Sequence, residues 1–526
     1  MTTPLFPILP ENFNRRSFLA ASGSLAAAVV WSNRGFGTAR RRIALTDHPF
    51  QLGVASGDPA PDGFVIWTRL APQPLEGGGM PMEPVMVDWE VAEDEQFSNV
   101  IRNGTTTAVP EWAHSVHVEV EGLKPDRWYW YRFRAAGEIS PVGRGRTFPE
   151  SQAMAERMRF AFASCQHYED GYYTAYEHMA GEDLDFVAHL GDYIYEGKAS
   201  QEATRLHLGP EITTLPLYRN RHALYKTDGD LQRAHARFPW LVTWDDHELD
   251  NNCAGPISQD LDSKPEDFLL RRAAAYQAYY EHMPLRQRSV PRGPDMQLYR
   301  QASFGRLAEI FVLDGRQYRS DQAHGDGRKA QGPEALAPER SMLGQAQEQW
   351  LSDGLKSSPA TWNVLAQQVM MARVGFRPEG ETNSLFSMDQ WPGYEANRRR
   401  VLKHLHDHKI SNPIVITGDI HSNWANDLIL DFDDLDSQIV ASEFVGTSIS
   451  SGGDGQATHP RLGNVMSQNP FVKLVNAQRG YVSCTVTPGQ WRTDYRIVDY
   501  IRQRGAPLKT LASFVIEAGR PGMQKV

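Results

Sequence analysis

The sequence has little cysteine: Cys165, Cys253 and Cys484 are the only three in 526 residues. Three thiols cannot supply a disulfide framework for a chain of this length, so the fold must rest on a buried core. An odd number also leaves at least one thiol without an intramolecular partner. An excess of positive charge is missing too. The chain carries 54 Lys and Arg against 64 Asp and Glu, a formal charge of −10. That balance argues against general or specific nucleic-acid recognition, because a phosphate backbone attracts a basic face. It does not exclude small phosphorylated molecules, which need only a few local cations. No segment beyond the N-terminus reaches membrane-spanning length, and no internal repeat or low-complexity block is present. The hydrophobic fraction of 41% excludes wholesale disorder. The length predicts two or three domains, at about 100–200 residues each.

The N-terminus reads as a targeting segment. Arg15 and Arg16 precede a modest apolar stretch from about Ala20 to Trp31, and Gly37-Thr38-Ala39 offers small residues for cleavage. A twin arginine before such a run is the pattern of a Tat export signal, assigned to residues 1–39. It implies recognition by the Tat machinery, folding before export, and a periplasmic or secreted protein. That route suits a protein that loads metal in the cytoplasm.

From about Pro49 to Phe148 apolar and polar residues alternate in short runs, as in Val85–Val91 and Trp128–Phe133. Period-two strands punctuated by Gly, Pro and Asp predict a small β-sandwich at 48–149. The pattern then changes. Strongly apolar strands alternate with longer helical stretches: Arg159–Ala163, Asp185–Leu190, Trp240–Trp244, Ala308–Leu313, Asn363–Ala366 and Pro413–Thr417. Such runs predict a layered α/β domain at 157–500. Ser451–Gly455 reads as a flexible loop, Tyr481–Val486 with Thr493–Val498 as a closing hairpin, and 501–526 as a C-terminal tail.

The chemistry lies at the strand ends. The strands run into Ser164-Cys165, Gly191-Asp192-Tyr193-Ile194-Tyr195, Asp245-Asp246-His247-Glu248, Asp314-Gly315-Arg316, Gln367-Gln368 and Gly418-Asp419-Ile420-His421. In layered α/β folds ligands bind beyond the carboxyl ends of strands. One aspartate there is an ordinary turn or helix cap. Several carboxylates, a thiol, a phenol and two imidazoles along one edge point to metal, because unpaired buried charges are costly. Cys165, Asp192, Tyr195, Asp246 and Asp419 can all bind as anions. A phenolate ligand needs a strong Lewis acid, since free tyrosine titrates near pH ~10. Ferric iron suits the thiolate and phenolate, and a hard cation such as calcium or manganese suits the carboxylates. His421 is a further ligand or a phosphate contact. His247 is a general acid or phosphate contact. Asn252 is an oxygen ligand or a turn residue. Arg316 is a phosphate clamp or one half of a salt bridge.

All of these segments but Gln367-Gln368, with Glu196 and Gln317-Tyr318-Arg319 in their continuations, resemble the alkaline phosphatase D (PhoD-like) family. Gly53–Pro59 and Ile66–Arg69 resemble that family's N-terminal domain. The resemblance implies a calcineurin-like metallophosphatase core, a layered α/β/β/α sandwich, preceded by the small β-sandwich domain. It further implies alkaline phosphomonoesterase or phosphodiesterase activity and a centre of Fe(3+) and Ca(2+). Gly191-Asp192-x-x-Tyr195 is also similar to the Gly-Asp-x-x-Tyr of purple acid phosphatases, in which the aspartate bridges two metals. Cys165 and Asp419 stand where the wider superfamily has an Asp-x-His and a His, and these departures favour iron with calcium over a zinc pair.

The expected activity is therefore phosphoester hydrolysis, by in-line attack of a metal-activated hydroxide or oxide. Small phosphoesters are the expected substrates, with phospholipids or polyanionic phosphodiesters as larger alternatives. A phospholipase D-like diesterase on the same centre, a non-enzymatic metal or phosphate binder, and a surface adhesion protein are the competing readings. A sandwich alone argues weakly for the last, since fold does not fix function.

Overall fold

A computed structural model describes residues 45, 47–260, 262–458 and 464–526. The export-signal reading at 1–39 lies outside them. Among the described residues no helix is long and apolar enough to cross a membrane.

Two sheets face each other at the centre. The larger has ten strands, in the order Gln524–Lys525, Leu508–Glu517, Gln490–Val498, Gly480–Val486, Met158–Ala163, Phe186–Leu190, Pro239–Thr243, Val54–Ala60, Gly63–Arg69 and Ser115–Val120. The second has eight: Arg300–Phe304, Ala308–Val312, Trp362–Ala366, Pro413–Thr417, Ile439–Val445, Asn423–Ile429, Val472–Gln478 and Gly455–Gln456. All six apolar runs read from the sequence are strands here, and each is buried on both faces.

Side-chain alternation builds the layers. Phe160 and Phe162 point into the space between the sheets and share its core with Ile310, Val312, Val364, Ala366, Ile414 and Ile416. Their neighbours Ala161 and Ala163 point outward into a second core, which also takes in Tyr218 and Tyr225 of the helix Leu215–Lys226 and Ala275 and Tyr279 of the helix Pro265–His282. On the far side Phe311, Leu365 and Val415 pack beneath Leu351 and Leu355 of Gly344–Ser357 and Val401, Leu402 and Leu405 of Glu395–Asp407. The result is helix, sheet, sheet, helix.

The N-terminal sandwich is present but is not separate from this core. Its first leaf is the edge of the ten-stranded sheet, because Val54–Ala60 pairs in parallel with Pro239–Thr243 through Ser56 and Gly57. Gly57 permits the approach: a Cβ there would strike the backbone oxygens of Pro284 and Trp240. The second leaf holds Val100–Ala108, Val85–Ala92 and Trp128–Ala135, the last also pairing with Glu138–Ile139 and Gly143–Arg146. Phe64 and Ile66 pack against Val87, Tyr131 and Phe133 between the leaves.

The closing hairpin forms as expected, with Gly480–Val486 antiparallel to Gln490–Val498. Residues 501–526 are not a tail. Leu508–Glu517 pairs along Gln490–Val498, and Phe514 and Ile516 reach the core between the sheets.

Candidate metal centre

The centre grows from the turn after Phe186–Leu190. Gly191 takes φ 107°, and a Cβ on it would strike Asp245, so only glycine lets the two strand ends lie together. Asp192 follows at φ 56°. Glu248 locks the turn: its carboxylate accepts the backbone N–H of Asp192 at 3.0 Å, of Tyr193 at 2.6 Å and of Asp245 at 2.8 Å. Cys165 joins through its N–H to the carbonyl of Gly191 at 3.1 Å. Cys165, Asn252, Asp419 and His421 also have φ between 50° and 67°. Five of the seven expected ligands thus sit in the left-handed region, sparsely populated by non-glycine residues and favoured at functional turns.

The structure brings these residues together. Ligand atoms of Cys165, Asp192 and His421 lie within 4.8 Å of one another, as do those of Asp192, Asp246 and His247 and those of Asp245, Asp246 and Asp419. Tyr195 folds back so that its hydroxyl donates to Asp192 Oδ2 at 2.8 Å and lies 3.1 Å from His421 Nε2. His247 stacks on the Tyr195 ring at 4.2 Å, with its Nδ1 held 2.7 Å from Glu196 Oε2. Asn252 donates its backbone N–H to Asp246 Oδ2 at 2.6 Å and its amide to Asp326 at 2.7 Å.

Of the two readings of Arg316, clamp or salt bridge, the described residues display the salt bridge. Arg316 is fully buried, with Nε on Asp245, Nη1 3.0 Å from Asp389, and Nη2 3.4 Å from Asp419 and 3.6 Å from Asp246. Every nitrogen of its guanidinium faces a carboxylate. Ser451 departs from the flexible-loop expectation as well. It is buried, and its hydroxyl lies 2.7 Å from both Tyr195 Oη and the carbonyl of Cys165. Gln368 braces the strand ends, accepting from Gly315 and donating to Thr243 and Leu313. Cys253 and Cys484 are free buried thiols.

Electrostatics show what the cluster asks for. Burial, then Asp192, pushes the Cys165 thiol well up. Burial, then Asp192 and Cys165, does the same to Tyr195. Asp192 and Asp419 are pushed well up, mainly by loss of hydration and then by neighbouring carboxylates. Loss of hydration, aided by Arg479, takes His421 down to about 3. His247 goes the other way, because Glu196, Asp246 and Asp192 outweigh its own desolvation. Asp192 Oδ1 is buried with no hydrogen-bond partner among the described residues. Buried anions crowded together, with an acceptor left over, fit cations held between them. The donor set is thiol, phenol, imidazole and carboxylate, so both a ferric ion and a hard divalent ion find matching ligands.

Comparison with known proteins agrees with this geometry. The family model for PhoD-like phosphatase matches residues 160–495, and that for the PhoD-like phosphatase N-terminal domain matches 37–149. The chain belongs to the PhoD-like phosphatase family. It is 50% identical to alkaline phosphatase D of Bacillus subtilis (strain 168) over 525 residues, 98% of this chain and 90% of that protein. A solved structure described as that of PhoD superposes with TM-score 0.90 at 52% identity, over 92% of this chain and 93% of the other. This PhoD-like phosphatase is a metal-dependent phosphoester hydrolase.

Reasoning from sequence missed several residues of the PhoD-like site. Glu196 and Glu248 lie inside the quoted motifs, yet only the fold reveals what they hold. Asp389 follows no apolar strand, and the strand before Ser451 carries Ser442 and Glu443, so no clear sequence signal marks either residue.

Proposed function

We propose that this chain is a Tat-exported alkaline phosphatase or phosphodiesterase, periplasmic or secreted, with a centre of Fe(3+) and Ca(2+). The observation that carries the reading is the convergence of Cys165, Tyr195 and His421 on Asp192, whose Oδ1 is buried and unpartnered among the described residues. Cys165, Asp192, Tyr195 and His421 would hold the iron. Asp192, Asp246, Asn252 and Asp419 would hold calcium, with Asp192 shared. We take 48–149 as the N-terminal unit and 157–500, completed by the strand Leu508–Glu517, as the catalytic unit.

When bound, the metals supply positive charge for the phosphate oxygens and acidify a water. The protein's own residues do the rest. Glu196 fixes Nδ1 of His247 and supports the charged imidazole, leaving Nε2 to donate to a phosphate oxygen or to the departing alkoxide. Arg316 keeps Asp245, Asp246, Asp389 and Asp419 in register, and we assign it positioning rather than phosphate binding, because no nitrogen is spare. Ser451 steadies the Tyr195 oxygen and the Cys165 turn.

The substrates are small phosphoesters, with phospholipids or polyanionic phosphodiesters as the larger option. Assays of nitrophenyl phosphate beside bis(nitrophenyl) phosphate separate monoesterase from diesterase. Turnover of either by exported, metal-loaded protein supports the reading. Turnover of neither would reduce the chain to a metal or phosphate binder.

A further inference from the structure

We propose that His167, Glu169 and His207 form a further metal site, for a divalent ion of the zinc class, beside the Asp192 centre and separate from it. His167 and Glu169 lie in the turn Tyr168–Asp170 and just before it, beyond the strand Met158–Ala163. His207 lies in the long connection that leads into the helix Leu215–Lys226. One ligand atom from each of the three falls within 4.8 Å of the others.

Hydrogen bonding leaves one donor atom open on each side chain. Glu169 Oε1 accepts from the backbone of Ser200 and of His207, both at 2.9 Å, so Oε2 is spare. His207 Nε2 is 2.9 Å from the hydroxyl of Tyr225. Its Nδ1 makes no hydrogen bond of ordinary geometry, although the side chain is fully buried and the backbone of Gly197 is close to the ring. His167 Nδ1 is 3.2 Å from Asp170 Oδ2, which leaves Nε2. Each imidazole therefore has one nitrogen steadied by an oxygen and the other unused. That is the arrangement found around metal-ligating histidines, whose second nitrogen is held by a carboxylate or another oxygen group.

The spacings fit a shared ion. His207 Nδ1 and Glu169 Oε2 are 3.6 Å apart, too long for a hydrogen bond. Two donors on one tetrahedral ion, each about 2.0–2.2 Å from it, stand about 3.4 Å apart. The rings of His167 and His207 are 5.2 Å apart and nearly perpendicular. Two imidazoles on a tetrahedral ion have centroids about 5 Å apart by the same geometry. Two histidines and one carboxylate suit zinc with a fourth position open, whereas calcium and magnesium prefer oxygen throughout.

The site would stiffen one wall of the main centre without belonging to it. His167 packs edge-on against Tyr195 at 4.4 Å. The Tyr225 hydroxyl that steadies His207 also accepts the backbone N–H of Tyr195 at 3.2 Å. The inference does not depend on which metals occupy the Asp192 centre.

Crystals of the exported protein soaked in zinc test it, with diffraction recorded on both sides of the zinc edge. An anomalous peak bonded to His167, Glu169 and His207 is expected. Zinc confined to the Asp192 centre, or absent from the protein, overturns the proposal. In solution, wild type should take up one more equivalent of zinc than His207→Gln or Glu169→Gln, with the content of other metals unchanged. Equal zinc uptake by wild type and both variants also overturns it. The wild-type crystal stands as the test should a variant not fold.

Discussion

The hydroxyl of Tyr195 lies 2.8 Å from Oδ2 of Asp192, three residues back along the same turn. A tyrosine bonded to a carboxylate would ordinarily be a neutral donor. Here the same oxygen also faces His421 and receives Ser451, so its surroundings are those of a ligand. Tyr195→Phe should therefore abolish the visible absorption that a phenolate on ferric iron produces. Activity should fall by more than the roughly 10–100-fold that losing a partner of a ligand costs. An unchanged visible spectrum in the variant would remove Tyr195 from the iron site.

Ser451 offers a milder test of the same geometry. Its hydroxyl bridges Tyr195 and the Cys165 carbonyl. Ser451→Ala should keep the fold, shift the visible band and weaken iron retention, at a stability cost of about 1 kcal/mol. A spectrum and iron content identical to wild type would show that the serine holds only the loop.

Glu248 should matter for folding rather than for ligation. Its buried carboxylate accepts three backbone N–H groups from two strand ends. Glu248→Ala strands those donors at about 1–3 kcal/mol apiece, less whatever water recovers. Calorimetry should show Tm lowered by several degrees, and metal content should fall with it. An unaltered Tm would mean that the turn holds without its clamp.

Much of the site was legible because its residues stand at the ends of apolar strands. A run such as Phe186–Leu190 followed by Gly-Asp-x-x-Tyr carries both fold and chemistry in adjacent positions. What could not be read lies where polar side chains are buried through distant partners. Asn423–Ile429 and Ile439–Val445 are central strands of the second sheet, yet they carry Asn426 and Glu443. Glu443 is buried because Thr417, Asn426 and the backbone of Met371 and Ala372 all donate to it. Those donors are scattered over the chain, so the strand looks too polar to be internal. Asp389 is hidden for the same reason, since its partners Arg316, Arg319 and Gln322 lie more than sixty residues away. Leu508–Glu517 escaped because a strand at the end of a chain resembles a tail until its partner is known.

Lys226 gives a pH dependence away from the metals. Its ammonium lies buried over Trp67 at 4.4 Å and Tyr193 at 5.3 Å, and burial takes it down to about 7. In the unfolded chain it titrates near ~10.4. Between about pH 7 and pH 10 the unfolded state therefore binds more protons, so this group makes stability rise with pH, by at most about 1.4 kcal/mol per unit. Lys226→Met should be more stable than wild type at neutral pH and should lose that rise. Denaturant unfolding across the range checks it, and parallel slopes for the two proteins would contradict the assignment.

The central claim is the identity of the metals around Asp192. Elemental analysis of wild type and Asp192→Asn, each purified after export, tests it most directly. Iron together with calcium in wild type, and loss of both metals and of phosphoesterase activity in the variant, is the predicted result. Two zinc ions and no iron in wild type, or full metal content and activity in Asp192→Asn, would contradict it.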